Sequence, residues 1–163
     1  ISDVAVIPLP DFKQKIKQIG YLAKVANLLG IETPKIACIA PSEQLLPSVI
    51  SSTEGALLAK MGDRGQLGDV VVDGPLSLDV ALYKEVAEHK KVKGSSVAGD
   101  PDCLLFPNIE SANVFFKSVT HLCGGELAAM VAGTKVPCVL TSRGDTSKTK
   151  LYSIALACLA VKQ

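Results

Sequence analysis

A three-layer α/β/α domain on a mainly parallel sheet is the fold class this sequence predicts, and two observations carry it. Short runs rich in β-branched and apolar residues alternate with longer stretches of helical periodicity. The short runs are nearly continuous in apolar character, as strands buried on both faces require. Strand and helix in that rhythm imply right-handed crossovers. With 163 residues, the chain has room for one domain with a buried core.

Residues 4–7 read as the first strand. Over 13–29, Ile16, Ile19, Leu22, Ala23, Ala26 and Leu29 recur at helical spacing, and Gly30 is placed to end that helix in a left-handed cap. Residues 35–40 form the second strand, 52–61 the second helix and 70–73 the third strand. A helix over 77–88 follows, with Ser77 as its N-cap. The basic run His89-Lys90-Lys91-Val92-Lys93 reads as a solvated helix end, where cations suit the negative pole. Residues 103–106 are the fourth strand, and the helix over 111–123 stops at Gly124 and Gly125. The segment 126–133 reads equally as a short buried strand or a helical turn. Residues 136–141 are the fifth strand, and the last helix, over 147–161, sets Leu151, Ile154, Ala155, Cys158 and Val161 on one stripe.

Composition excludes several classes. An apolar share of 48% with 20% charged residues argues against disorder. Seventeen basic against sixteen acidic residues give a net charge of +1, so no global field draws nucleic acid or anionic lipid. No apolar run approaches the roughly 20 residues that span a bilayer, and the N-terminus lacks a signal-peptide pattern. The five cysteines (Cys38, Cys103, Cys123, Cys138 and Cys158) are odd in number, widely spaced and without a C-x-x-C. Neither a zinc site nor a disulfide framework is expected, and a reducing cytoplasm fits. Neither a Walker A sequence nor a G-x-S-x-G elbow occurs. The glycines between Gly62 and Gly68 follow a helix and precede a strand, the wrong order for a dinucleotide fingerprint. His89 and His121 are too isolated for metal ligands.

Ligands of open parallel sheets sit beyond the carboxyl ends of the strands. Those positions here hold Asp73-Gly74-Pro75, Pro107-Asn108 and Thr141-Ser142-Arg143-Gly144-Asp145. The last is the strongest candidate, because a hydroxyl, a guanidinium and a flexible glycine arrive together just before a helix N-terminus. Such donors suit an anion, phosphate above all. The alternative is that Ser142 and Asp145 only cap the helix while Arg143 points into water.

Several stretches in sequence then carry a family resemblance. Lys60-Met61-Gly62-Asp63-Arg64-Gly65-Gln66 is followed by Val72-Asp73-Gly74-Pro75-Leu76 and by Val97-Ala98-Gly99-Asp100. Phe106-Pro107-Asn108-Ile109-Glu110-Ser111-Ala112-Asn113 comes next, with Lys117, and Leu140-Thr141-Ser142-Arg143 and Lys150-Leu151-Tyr152-Ser153-Ile154 close the series. Over essentially its whole length the chain resembles the phosphate acetyltransferase/phosphate butyryltransferase family, and its ending is nearer the butyryl branch. The resemblance implies an isocitrate/isopropylmalate dehydrogenase-like fold and reversible transfer of an acyl group between coenzyme A and orthophosphate. Coenzyme A is then a substrate; no cofactor, metal or nicotinamide is expected. The implied partners are acyl-CoA or CoA and phosphate, without nucleic acid or membrane, in a cytoplasmic homodimer. Family members are roughly twice as long, a two-domain size. Residues 1–163 thus correspond to their C-terminal portion, with the N-terminal domain absent and a segment missing after Phe12.

The same resemblance implies roles. Arg143 matches the active-site arginine after a serine, and its fork suits phosphate oxygens. Ser142 matches that serine and donates to the carbonyl oxygen or the thiol sulfur. The acetyl-type relatives place an aspartate seven residues after the serine, where this chain has Thr149, so Asp145 is the nearest carboxylate for a base. Asn113 and Lys117 match positions facing phosphate or the cleft, and Asp73 and Gly74 shape its floor, Gly74 by allowing close backbone approach. Two other readings compete: a non-catalytic acyl-CoA-sensing or dimerisation domain of the same fold, and a nucleotide-binding dehydrogenase domain with only generic architecture behind it.

Overall fold

Asp11 starts the first helix of the structure, a computed structural model that describes residues 1–161. Its carboxylate accepts the Gln14 amide at 2.7 Å, while the Gln14 side chain accepts the Asp11 amide at 2.8 Å. Two orphan donors of the first turn are thereby satisfied reciprocally. This helix, α1 (Phe12–Leu28), ends where Gly30 takes φ +90°, as its position predicts. After it come β1 (Lys35–Ile39), α2 (Ile50–Asp63), β2 (Val71–Leu76), α3 (Leu78–Leu82), α4 (Lys84–His89), β3 (Cys103–Leu105), α5 (Ile109–His121) and α6 (Ser147–Val161). Packing divides the chain into one unit spanning Ile1–Asn113 and a second that begins at Val114.

The first unit holds the sheet, whose strands run all parallel in the order β2-β1-β3. The continuous apolar run of β1 has its reason here: it is the central strand, and every residue after Lys35 is buried. Ile36 lies beside Val72 and Cys103 in the register. With Cys38 and Leu105 these residues pack on Ile19, Leu22 and Ala26 of α1 and Leu58 of α2. Alternation turns Ala37 and Ile39 to the other face. There α3 packs on β1, with Val80 and Ala81 fully buried.

Two of the five expected strands do not form. Residues 4–7 are diverted by Asp3, whose carboxylate accepts the amides of Ala5, Val6 and Ile7 at 2.9–3.0 Å. A side chain that gathers three consecutive amides leaves none for a ladder. Only Ser2 reaches the sheet, in a parallel bridge to Leu105. Residues 136–141 also lack a ladder: one antiparallel bridge joins Val131 to Cys138, and Pro137 has no amide to give. The segment 126–133 is accordingly neither a strand nor a helical turn, and contributes only that bridge.

The single helix expected over 77–88 is two, broken at Tyr83. The Gly99 amide takes the Ala81 carbonyl at 2.9 Å, the acceptor that a continuing helix needs four residues on. That approach demands glycine, since a Cβ on Gly99 (φ +83°) would lie 2.5 Å from Lys84 Cα. Ser77 is the N-cap residue of α3, but its hydroxyl makes no cap bond and donates instead to Glu43 at 3.2 Å. The basic run is not wholly solvated either, because Lys90 pairs with Asp79 at 2.9 Å and Glu43 at 3.5 Å. The buried face of α1 is offset from the apolar stripe: Lys15 and Gln18 are inside with Ile19, Leu22 and Ala26, while Leu29 is exposed. On α6 the expected stripe faces outward, with Leu151, Ile154 and Val161 each more than half exposed, and Ser153, Leu156 and Ala157 are the buried residues.

Candidate functional site

A 2-1-3 parallel order reverses direction between β1 and β3, and the crevice beyond their carboxyl ends is where such sheets hold ligands. In the first unit that place is filled by the protein itself. Lys15 of α1 and Glu54 of α2 form an ion pair there, with Ile39, Ser51, Phe106 and Pro107 around a cavity of only about 10 Å³. The Lys15 side chain is 5% exposed. Nothing in the sequence reading singled out this pair. Its signal was present, since Lys15 precedes Ile19, Leu22 and Ala26 at steps of four, three and four along the buried stripe.

At the end of β2 the Asp73 carboxylate accepts the following Gly74 amide at 2.8 Å. The close approach that Gly74 permits is to β1: an added Cβ would fall 2.6 Å from Cys38 Cβ and 3.1 Å from the Cys38 carbonyl oxygen. Burial, and then the Asp73 charge, push the Cys38 thiol up to about 12, which leaves it an inert core residue. Asn113 spends its amide nitrogen on the Val4 carbonyl at 2.8 Å, tethering the residues that Asp3 turns. Lys117, in the second unit, stands over the Phe116 ring at 4.9 Å.

Ser142, Arg143 and Asp145 come together in one closed turn of the second unit. Asp145 Oδ2 accepts the Ser142 amide at 2.7 Å, the Asp145 amide returns to the Ser142 carbonyl at 3.1 Å, and the Gly144 amide reaches Ser142 Oγ at 3.4 Å. Arg143 projects from this turn, exposed and without a side-chain partner among the described residues. The turn does not cap α6. Thr146 does so, its hydroxyl accepting the Thr149 amide at 3.1 Å, so the Asp145 carboxylate keeps its second oxygen.

Beside the turn lies a cavity of about 360 Å³ bounded by Gly144, Asp145, Thr146 and Thr149, by His121 and Thr120 at the end of α5, and by Lys148, Tyr152 and Glu126. Lys148 pairs with Glu126 and stands 5.6 Å from the Tyr152 ring centre. The hydrogen bond from Lys148 holds the Glu126 carboxyl below its usual range, and the same bond raises the Lys148 ammonium. Ser153 anchors the wall, fully buried, bonded to the Thr149 carbonyl at 2.8 Å and the Ala129 amide at 3.0 Å. Sequence adjacency gave Ser142, Arg143 and Asp145. Lys148, Glu126 and His121 converge only through folding, and no local pattern marks them.

Residues 1–158 match the family described as phosphate acetyl/butaryl transferase. A phosphate butyryltransferase of Clostridium acetobutylicum is 46% identical over 159 residues, covering 98% of this chain and 52% of that protein. A phosphate acetyltransferase of Thermotoga maritima is 42% identical over 157 residues, covering 96% and 53%. Among solved structures, a branched-chain phosphotransacylase from Enterococcus faecalis V583 superposes with a TM-score of 0.88 at 33% identity, over 98% of this chain and 56% of that one. The chain thus spans about half the length of the curated relatives it matches.

Proposed function

We infer from one premise, that this chain belongs to the phosphate acetyl/butaryl transferase family, that it contributes to an enzyme moving a short-chain acyl group between coenzyme A and orthophosphate. The reaction is acyl-CoA + phosphate = acyl phosphate + CoA, with butyryl or a similar group carried. Within the chain, the reading rests on the turn over 142–145, which sets a hydroxyl, a guanidinium and a carboxylate on neighbouring residues, with Gly144 and Asp145 on the wall of a cavity of about 360 Å³.

Written toward acyl-CoA, the CoA thiol loses its proton and the thiolate attacks the carbonyl carbon of the acyl phosphate. A C–S bond forms, the C–O bond to phosphate breaks, and orthophosphate leaves with the electron pair. Arg143, its donors uncommitted, takes two phosphate oxygens in its planar fork. The Ser142 hydroxyl faces the developing charge on the carbonyl oxygen, a contact whose loss typically costs about 2.7–4 kcal/mol of barrier stabilisation. Asp145, tied to the Ser142 amide through Oδ2, receives the thiol proton on Oδ1. Lys117 offers its ammonium to phosphate. The reaction so written calls on no metal or nicotinamide.

The same proposal includes a cytoplasmic homodimer. The outward apolar face of α6 supports association, and among the described residues no helix is long and apolar enough to cross a membrane. The test joins this chain to the segment of the Clostridium acetobutylicum enzyme that it does not match and follows phosphate-dependent thiol release from butyryl-CoA. Turnover that falls at least about tenfold in Arg143→Ala and in Ser142→Ala is expected. Binding of CoA without turnover would return the non-catalytic sensing domain, and turnover equal to the wild type's in both variants would reject the residue roles.

A further inference from the structure

We propose that Lys148 is a phosphate-binding cation of the second unit and that Glu126 is its built-in competitor, so that a phosphate-bearing ligand enters the cavity beside them by taking the ammonium from the carboxylate. The two residues stand 22 positions apart and both line the cavity of about 360 Å³, a size within the range of small-molecule sites. Their ion pair therefore forms part of the cavity wall. The choice of phosphate as ligand rests on the reaction proposed above. The exchange itself does not depend on the roles given there to Ser142 and Arg143.

Exposure decides that the pair can open. Each side chain is 56% exposed, and an ion pair so open to water is weak. A carboxylate brings one negative charge, whereas a phosphate group carries up to about two at neutral pH and more acceptor oxygens, which makes it the stronger partner for an ammonium. The bond between the two residues, with the Tyr152 hydroxyl adding to it, lowers the Glu126 carboxyl and raises the Lys148 ammonium. Both groups are charged at the outset, and the exchange requires no proton transfer.

The rest of the wall points to the same ligand class. The Thr146 hydroxyl donates to Thr149 Oγ1 at 3.1 Å and accepts the Thr149 amide at 3.1 Å. That leaves the hydrogen of the Thr149 hydroxyl without an acceptor among the described residues, on a side chain that lines the cavity. A phosphate oxygen satisfies it. Among the described residues Lys148 is the one lysine or arginine on this wall, where Glu126 and Asp145 are carboxylates. A phosphate entering here at a pH that keeps His121 neutral has no other cation to meet, so its binding is governed by how firmly Glu126 holds Lys148.

The test titrates inorganic phosphate into the 163-residue chain at about pH 8 and constant ionic strength, following the ring resonances of Tyr152, which Tyr152→Phe identifies by their loss. Saturable shifts are expected. Glu126→Gln should tighten the phosphate Kd about two- to fivefold, the range that an exposed ion pair supplies, and Lys148→Met should weaken it by at least about as much. In the Lys148→Met background Glu126→Gln should lose most of that gain, because the carboxylate acts through the ammonium. The same ordering is expected when Arg143→Ala is added, so a failure of the catalytic role given to Arg143 is told apart from a failure here. No saturable shift, an unchanged or weaker Kd in Glu126→Gln, a wild-type Kd in Lys148→Met, or the full gain in the double variant would each overturn the proposal. An ordering that vanishes with Arg143→Ala would assign the bound phosphate to the turn and overturn it as well.

Discussion

Replacing Glu54 by glutamine tests how the first unit is held together at the place where a parallel sheet ordinarily keeps its ligand. The Lys15 side chain is 5% exposed and the Glu54 side chain 18%, so the substitution leaves an ammonium buried without its counter-charge. Breaking such a pair by removing one partner costs about 3–5 kcal/mol. Glutamine keeps the volume and one acceptor oxygen, and Glu54 retains some water, which puts the expected loss near the lower bound, at about 3 kcal/mol. Because the chain has two units, a single melting temperature is not the right readout. Native-state amide exchange in α1 and β1 reports the first unit directly. The paired replacement Lys15→Met with Glu54→Leu should recover stability to within about 1 kcal/mol of the wild type, since matched apolar groups remove both desolvation costs. A Glu54→Gln loss below about 1 kcal/mol, or a double variant as unstable as the single one, would refute the argument.

Further expectations concern other residues. Gln18 is buried with neither carboxamide atom bonded among the described residues, so Gln18→Leu should raise the stability of the first unit by about 1–3 kcal/mol in the same exchange experiment. Gly74→Ala should cost about 1–3 kcal/mol, read by denaturant titration, because its new Cβ would meet Cys38 at 2.6 Å. Asp79 is held down to about 2, first by the Ser77 hydroxyl and then by Lys90. Its contribution is therefore present above the ordinary carboxylate pKa of about 3.8 and lost as pH falls through about 2. Lys90→Met should flatten that acid limb in a pH series of unfolding curves. Iodoacetamide at pH 8 should label the exposed Cys123 and Cys158 and spare Cys38, as peptide mass spectrometry would show.

Elements whose partners lie in the same stretch of chain were legible in the sequence. The last helix starts and stops at the residues its pattern marks, and the central strand is one residue shorter than its apolar run. What failed depended on distant or competing groups. Asp3 outcompetes a ladder for the amides of residues 5–7, and Gly99 breaks a helix sixteen residues before it, at Tyr83. The buried face of α1 is offset from its apolar stripe because the long Lys15 side chain buries readily where Glu54 waits across the interface. The candidate site divides in the same way. Ser142, Arg143 and Asp145 adjoin in sequence, whereas Lys148, Glu126 and His121 meet at the cavity through folding alone.

The central claim is that Arg143 receives phosphate. Steady-state kinetics of the joined protein, with phosphate varied at fixed butyryl-CoA, address it most directly. Arg143→Lys should raise the KM for phosphate and lower kcat while leaving the KM for butyryl-CoA nearly unchanged, because a point charge replaces a bidentate fork. A phosphate KM equal to that of the wild type in Arg143→Lys and Arg143→Ala alike would contradict the account.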